Sequence, residues 1–180
     1  NAGKSALVNA VLGEKVLAVT ADSPIHPARE LRDAVKIAES FGVKHLVLQS
    51  KELENPRFTA NSPGRCYHCK VELFKTLRGL AAPYGILNVV EGSNLDDLGD
   101  HRPGMRAAAE LGIRQPLQEA GLTKAEVRAI SKDLGLPTWN KPSMACLASR
   151  IPYGTPIARE ALAMIDSAED FIRSLGIKQV

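Results

Sequence analysis

The chain has 180 residues, 44% apolar and 24% charged, enough for one core with a small appendage. Its formal charge of +3 is interspersed, with no basic run, which argues against nucleic acid as a partner. No apolar run reaches the ~18 residues that cross a bilayer, no signal peptide is visible, and three cysteines make a poor disulfide framework, so a cytoplasmic protein with reduced thiols is expected.

Helix and strand signals alternate along the chain. Asn1-Ala2-Gly3-Lys4-Ser5 begins inside a loop-to-helix turn. Lys15 to Thr20 reads as a buried parallel strand. Pro27 opens a helix to about Phe41, with Leu31, Val35 and Ala38 on one stripe and Gly42 as its stop. His45 to Gln49 is the next strand. Residues 51–64 lack periodicity and read as a loop. Cys66 to about Ala81 is helical, with Leu73, Leu77 and Leu80 on one side. Ile86 to Gly92 reads as a further strand, followed by a polar loop from Ser93 to Gly104 and a short helix from Met105 to Leu111. Thr123-Lys124-Ala125-Glu126 is a capping box for a helix to Leu134. Arg159 to about Leu175 is a last amphipathic helix, and Ile177 to Val180 reads as a strand just starting. We therefore expect an α/β fold, a parallel sheet with helices on both faces, truncated at both ends. In such sheets ligands sit outside the carboxyl ends of the strands.

The cysteines carry the chemistry. Cys66 and Cys69 form a C-x-x-C, and Cys146 stands alone far downstream. Thiolates are soft ligands for zinc and iron–sulfur clusters. The inventory suggests a three-thiolate site with one open position. His68, inside the C-x-x-C, would instead close a Cys3His zinc site. Gly92, Ser93, Asn94 and Asp97 follow a strand directly and offer groups for a ribose or a magnesium ion, although such residues also make ordinary solvated turns. Arg102 suits a phosphate or carboxylate. Ser149 and Arg150 follow Cys146 closely enough to face one pocket with it. As a loop carboxylate, Asp97 is expected to contribute little to fold stability.

Taken in order, Cys66-Tyr67-His68-Cys69-Lys70, Glu91-Gly92-Ser93-Asn94-Leu95-Asp96-Asp97, Asp100-His101-Arg102-Pro103-Gly104, Gly121 to Arg128, and Trp139-Asn140-Lys141-Pro142 with Cys146 to Thr155 resemble the ATP-dependent sulfur transferases that make the nickel-pincer cofactor of lactate racemase. These are a branch of the PP-loop ATP pyrophosphatases. The resemblance runs from about Glu14 to Val180. It implies a HUP-type α/β domain over residues 1–158, with 159–180 starting a small C-terminal domain. It implies a nucleotide substrate, a pyridinium dicarboxylate mononucleotide, whose carboxylate is adenylylated by ATP with magnesium and then converted to a thiocarboxylate. It implies a 4Fe–4S cluster on Cys66, Cys69 and Cys146, catalytic roles for Cys146, Ser149 and Arg150, and nucleotide binding by Gly92, Ser93, Asn94, Asp97 and Arg102. A homo-oligomer is expected. The family's S-G-G-x-D-S phosphate loop is not present, because Asn1 to Ser5 stands in its place.

Three other readings remain open at this level. One is a tRNA-thiolating enzyme of the same superfamily. Another is a GTP-binding protein, since Gly3-Lys4-Ser5 resembles the end of a phosphate loop. The third is a thioredoxin-like oxidoreductase using Cys66 and Cys69.

Overall fold

The computed structural model describes residues 4, 7, 8, 11, 12, 15–99 and 103–177. The expected strand start at 178–180, most of the residue 1–5 motif, and Arg102 lie outside the described residues. Lys4, Leu7, Val8, Val11 and Leu12 are helical.

Strands β1 (Leu17–Asp22) and β2 (Lys44–Gln49) pair in parallel, from Leu17 opposite Lys44 to Asp22 opposite Gln49. Parallel neighbours need a crossover, and helix α1 (Ala28–Ser40) supplies it, packing against both strands. Pro27 sets the helix entrance at φ −55°. At the exit Gly42 takes φ +61°, which lets the Val43 N–H bond back to the Ala38 carbonyl at 3.2 Å.

The fold is mixed α/β with a parallel sheet, but among the described residues the sheet has two strands only. The strand expected from Ile86 to Gly92 does not join it. Val90 makes one isolated parallel bridge to Arg114, closed by Glu91 N–H to Arg114 O and Arg114 N–H to Val89 O, both 2.9 Å. Leu87 is 94% exposed, while Val89 and Val90 turn to two different apolar clusters. A short apolar run reads alike whether it is buried by a sheet or by separate helices, which is why the pattern misled.

The stretch expected as a loop at 51–64 also holds structure. It contains a 3-10 turn (Glu52–Glu54) and helix α2 (Pro56–Thr59), capped by Asn55 Oδ1 accepting from Arg57 N–H at 3.0 Å. Helix α3 (Arg65–Ala81) carries the C-x-x-C at its N-terminal end, Cys66 in the first turn and Cys69 at the start of the second. The polar loop after Ser93 contains a 3-10 segment, Leu95–Gly99, and α4 (Pro103–Glu110) begins within the span expected to be loop. A short α5 (Pro116–Glu119) follows, unforeseen from sequence. In α6 (Lys124–Asp133) the capping box forms as expected, with Thr123 Oγ1 accepting from Glu126 N–H at 3.3 Å and Glu126 Oε2 accepting from Thr123 N–H at 2.8 Å. The last helix, α7 (Arg159–Ser174), ends one residue before the expected stop.

Among the described residues three apolar clusters hold these elements. One gathers Ile25, Phe58, Leu147, Ala148, Ile151, Ile157 and Leu162, with Cys69 and Cys146 packed on its edge. A second joins Leu7 and Val8 to Leu117, Val127 and Leu136. The third seats Phe74 of α3 against Ala107 and Ala108 of α4. Full burial of a Phe is worth roughly 1.5–3 kcal/mol. The small residues of α4 permit the close approach: a Cβ at Gly104 would stand 3.0 Å from Lys70 Cγ.

Candidate functional site

The first cluster underlies the site. Ser23 follows the carboxyl end of β1, Glu52 follows that of β2, and Ser50 N–H to Asp22 O at 2.9 Å ties the two strand ends together. Ser23 Oγ donates to Glu52 Oε2 at 3.0 Å, and both residues are buried. The segment bearing Cys146 is laid across this end of the sheet by Leu147 N–H to Ile25 O at 2.7 Å. The one-turn 3-10 helix Leu147–Arg150 then drives Leu147 and Ala148 into the core. Ligands are expected at such strand ends in parallel α/β folds.

All three cysteines are free thiols, Cys66 exposed and Cys69 and Cys146 half-buried. They act on one another. Burial pushes the Cys69 thiol up to about 12, and charge on Glu52, Cys146 and Cys66 adds to that push while Lys70 opposes it. Cys146 is raised first by burial and then by Cys66, against Arg65 and the N–H groups of Ser149 and Ala148. A helix N-terminus usually favours thiolate; here desolvation is the stronger effect, so Cys69 is a protonated thiol at neutral pH. Thiols are the right donor chemistry for a soft metal or a cluster. As placed, however, no group of three His, Cys, Asp or Glu side chains among the described residues is arranged to hold one metal ion. His68 is half-buried and meets the Tyr67 ring edge-on at 5.5 Å.

The Gly-Ser-Asn loop is joined to the cysteine helix through Lys70, one residue after Cys69. Lys70 Nζ lies 2.7 Å from Glu91 Oε2, and Glu91 also accepts from Ser93 Oγ at 3.0 Å and Gln115 Nε2 at 2.7 Å. Burial works against ionisation of Glu91, but the Lys70 charge and these hydrogen bonds outweigh it and hold its carboxyl below the usual range. Gly92 and Ser93 are half-buried. Asn94 and Asp97 are buried, at 1% and 5% exposure, and not the solvated pair expected from a polar loop. Asp97 Oδ2 accepts from Asn94 N–H at 3.0 Å and pairs with Lys4 Nζ at 2.6 Å, and the same ammonium donates to Asn94 Oδ1 at 2.6 Å. As a loop carboxylate Asp97 is expected to contribute little to fold stability, but its charge is desolvated and held by internal partners, so a larger contribution follows.

Ser149 and Arg150 sit together, with Arg150 Nη1 2.7 Å from Ser149 Oγ. Arg150 Nε donates to Glu169 Oε1 of α7 at 2.7 Å, and Arg29 of α1 donates to Glu169 Oε2 at 3.0 Å. One buried carboxylate thus bridges two guanidinium groups. They border a cavity of about 350 Å³ whose wall includes Lys141, Ser143 and Ala145, just ahead of Cys146. Lys141 Nζ stands 2.9 Å from both Glu30 and Asp33. The lining mixes Arg29, Lys141, Arg150 and Arg173 with Glu30 and Asp33, a polar wall able to hydrogen-bond a small polar molecule.

Sequence reading missed Ser23, Glu52, Asn61, Arg65, Arg29 and Glu169. Asn61 lies in a stretch, Ala60 to Gly64, whose composition reads as a solvated turn, yet it is 0% exposed. Arg65 was overshadowed by the neighbouring Cys66, although a buried arginine beside a thiol pair is itself a signal.

No protein-family model matches the chain. It is 48% identical over 170 residues to an uncharacterized protein of Synechocystis sp., covering 94% of this chain and 63% of that protein. It is 30% identical over 172 residues to an uncharacterized protein of Methanocaldococcus jannaschii, covering 94% and 66%. Over 171 residues it is 36% identical to the pyridinium-3,5-bisthiocarboxylic acid mononucleotide synthase of Lactiplantibacillus plantarum, covering 94% of this chain and 62% of that synthase. The chain is thus similar along nearly its whole length to a synthase of a thiocarboxylated mononucleotide, while spanning less than two thirds of it.

Proposed function

We propose that this chain is an ATP-dependent sulfur transferase of the PP-loop type that converts a carboxylate of a pyridinium dicarboxylate mononucleotide to a thiocarboxylate. The observation that carries this reading is the similarity to the Lactiplantibacillus plantarum synthase over 171 residues. The chemistry has two halves. A substrate carboxylate oxygen attacks the α-phosphorus of ATP, the bond to the β-phosphate oxygen breaks, and pyrophosphate leaves. A sulfur nucleophile then attacks the acyl carbon and AMP departs with the original carboxylate oxygen, leaving a C–S bond. The carboxylate alone is a poor acyl donor; adenylylation supplies the leaving group.

In this reading the loop from Gly92 to Asp97 borders the nucleotide, with Gly92 and Ser93 on its accessible side, buried Asn94 and Asp97 holding the loop's shape through Lys4, and Arg102 a candidate phosphate partner by residue type; magnesium would neutralise the phosphates. Arg150, steadied by Glu169, meets the substrate's phosphate or carboxylate from the cavity wall, and Ser149 orients it. Cys66, Cys69 and Cys146 would hold a 4Fe–4S cluster, which supplies sulfide at an iron that no protein side chain ligates. Among the described residues the three thiols are not arranged as a preformed ligand set.

The test separates the halves. With ATP and the dicarboxylate mononucleotide, Cys146→Ala should still release pyrophosphate but form no thiocarboxylate, read by phosphate-coupled assay and product mass. Arg150→Lys should slow turnover and leave iron content intact, because a point charge replaces a planar fork. Thiocarboxylate formation by Cys146→Ala at the parent rate would refute the three-cysteine mechanism.

A further inference from the structure

Asn61 is a buried residue in an unusual backbone state. Its φ is +54°, the left-handed region that Asn tolerates better than most side chains but at some cost. It is 0% exposed, so its amide must find partners inside the protein. It does. Nδ2 donates to the carbonyls of Thr155 at 2.8 Å, Pro152 at 2.9 Å and Ile151 at 3.3 Å, three acceptors sharing two hydrogens. Oδ1 accepts from Arg65 Nη1. The backbone adds two further ties, Gly154 N–H to Asn61 O at 3.1 Å and Ile157 N–H to Thr59 O at 2.9 Å.

Arg65 completes the join from the other side. It is 5% exposed, no carboxylate pairs with it among the described residues, and its guanidinium lies 4.7 Å from the centre of the Tyr153 ring. Residues 59–65 and 151–157 are therefore fastened by one amide, one guanidinium and one ring, together with the two backbone hydrogen bonds. These are also the stretches that end at the two halves of the thiol site. Cys66 follows Arg65 directly. Cys146 is separated from Ile151 only by the 3-10 turn Leu147–Arg150, whose Leu147 and Ala148 are buried and whose Leu147 N–H is also tied to Ile25 O at 2.7 Å.

We propose that Asn61, with Arg65 and Tyr153, is a brace that sets the position of Cys146 relative to the C-x-x-C, making Asn61 a positioning residue for the three thiols. This rests on reading those thiols as one site. No other side chain of similar size does the same work. Asp keeps the acceptor for Arg65 but loses the donors to three carbonyls, Ala loses both and keeps the backbone strain, and Gly loses both while relieving the strain.

The full 180-residue chain carrying Cys69→Ser, which leaves Cys66 and Cys146 as its thiols, is treated with a short bismaleimide. The Cys66–Cys146 cross-link is quantified by peptide mass spectrometry, well below the melting temperature of each variant. The parent background should cross-link. Asn61→Gly should retain native-like circular dichroism and lose most of the cross-link. Tyr153 is 60% exposed, so its variants do not threaten the fold. Tyr153→Leu should lower the yield by about twofold to fivefold, the factor a partly exposed cation–π contact controls, and Tyr153→Phe, which keeps the ring, should restore it. A parent that does not cross-link would overturn both the single-site reading and the brace. A parent that cross-links, with Asn61→Gly and Tyr153→Leu cross-linking equally well, would overturn the brace alone and leave the sulfur-transfer reading standing.

Discussion

Replacing Asp97 with Asn keeps the shape of the side chain and removes its charge. Asp97 is 5% exposed, Lys4 Nζ lies 2.6 Å from Oδ2, and Asn94 N–H donates to the same oxygen at 3.0 Å. The variant leaves the Lys4 ammonium, 17% exposed, without its carboxylate. Removing one partner of a fully buried pair costs about 3–5 kcal/mol; Lys4 retains some water, so about 2–3 kcal/mol is expected. In a chain of this size each kcal/mol moves Tm by roughly 2–4 °C, so Asp97→Asn should melt ~4–12 °C lower. Thermal and urea unfolding followed by far-UV circular dichroism give the two numbers independently. The segment 92–97 would also loosen, so pyrophosphate release should fall with stability. A Tm unchanged within about 1 °C would mean that Asp97 is a solvated turn residue after all and that the Lys4 pair contributes nothing.

Glu169→Gln should cost about 1–2 kcal/mol in urea unfolding, since its buried carboxylate serves both Arg29 and Arg150 while Asp166 and Asp170 still pair with Arg29; a loss under about 0.5 kcal/mol would show the bridge to be idle. Thr123→Ala should cost about 1 kcal/mol by removing the capping box of α6, read as a matching fall in Tm. The Cys69 thiol has a raised pKa in the folded chain, about 12 against an ordinary 9.0. Its folded pKa lies above its unfolded one, so its contribution is complete below the ordinary value and is lost as pH rises from there toward 12. Cys69→Ala should flatten the alkaline limb of the stability profile, and iodoacetamide at neutral pH should label exposed Cys66 well before Cys69; equal labelling rates would contradict the burial of Cys69.

Local signals survived best in the passage from sequence to structure. The Thr123 capping box, the α1 stop at Gly42 and the span of α3 are set by residues within one turn of each other, and each formed within a residue or two of its expected place. The strand expected from Lys15 to Thr20 likewise formed, shifted two residues on as β1 (Leu17–Asp22). Failures came where partners are distant in sequence. Ile86 to Gly92 has a strand's composition, but where its hydrogen bonds go is decided by Arg114, and where its valines go is decided by two separate clusters. Likewise the polarity of Asp97 and Asn61 suggested water, because nothing local reveals Lys4 93 residues away from one or the carbonyls of 151–155 about 90 residues from the other. For the site, residue types pointed to Cys66, Cys69 and Cys146, while the side chains that fix their surroundings, Glu52, Asn61 and Arg65, required the folded chain.

The claim at the centre of this account is that Cys66, Cys69 and Cys146 work as one metal-loaded sulfur centre. It is tested by the iron content and visible absorption of anaerobically purified chain, compared with Cys66→Ala, Cys69→Ala and Cys146→Ala. Bound iron with visible charge-transfer absorption is expected in the parent, as thiolate-held iron–sulfur clusters have, and loss of both iron and absorption in all three variants. A Cys146→Ala protein that retains the parent's iron and spectrum, or a parent that takes up none on reconstitution, would contradict it.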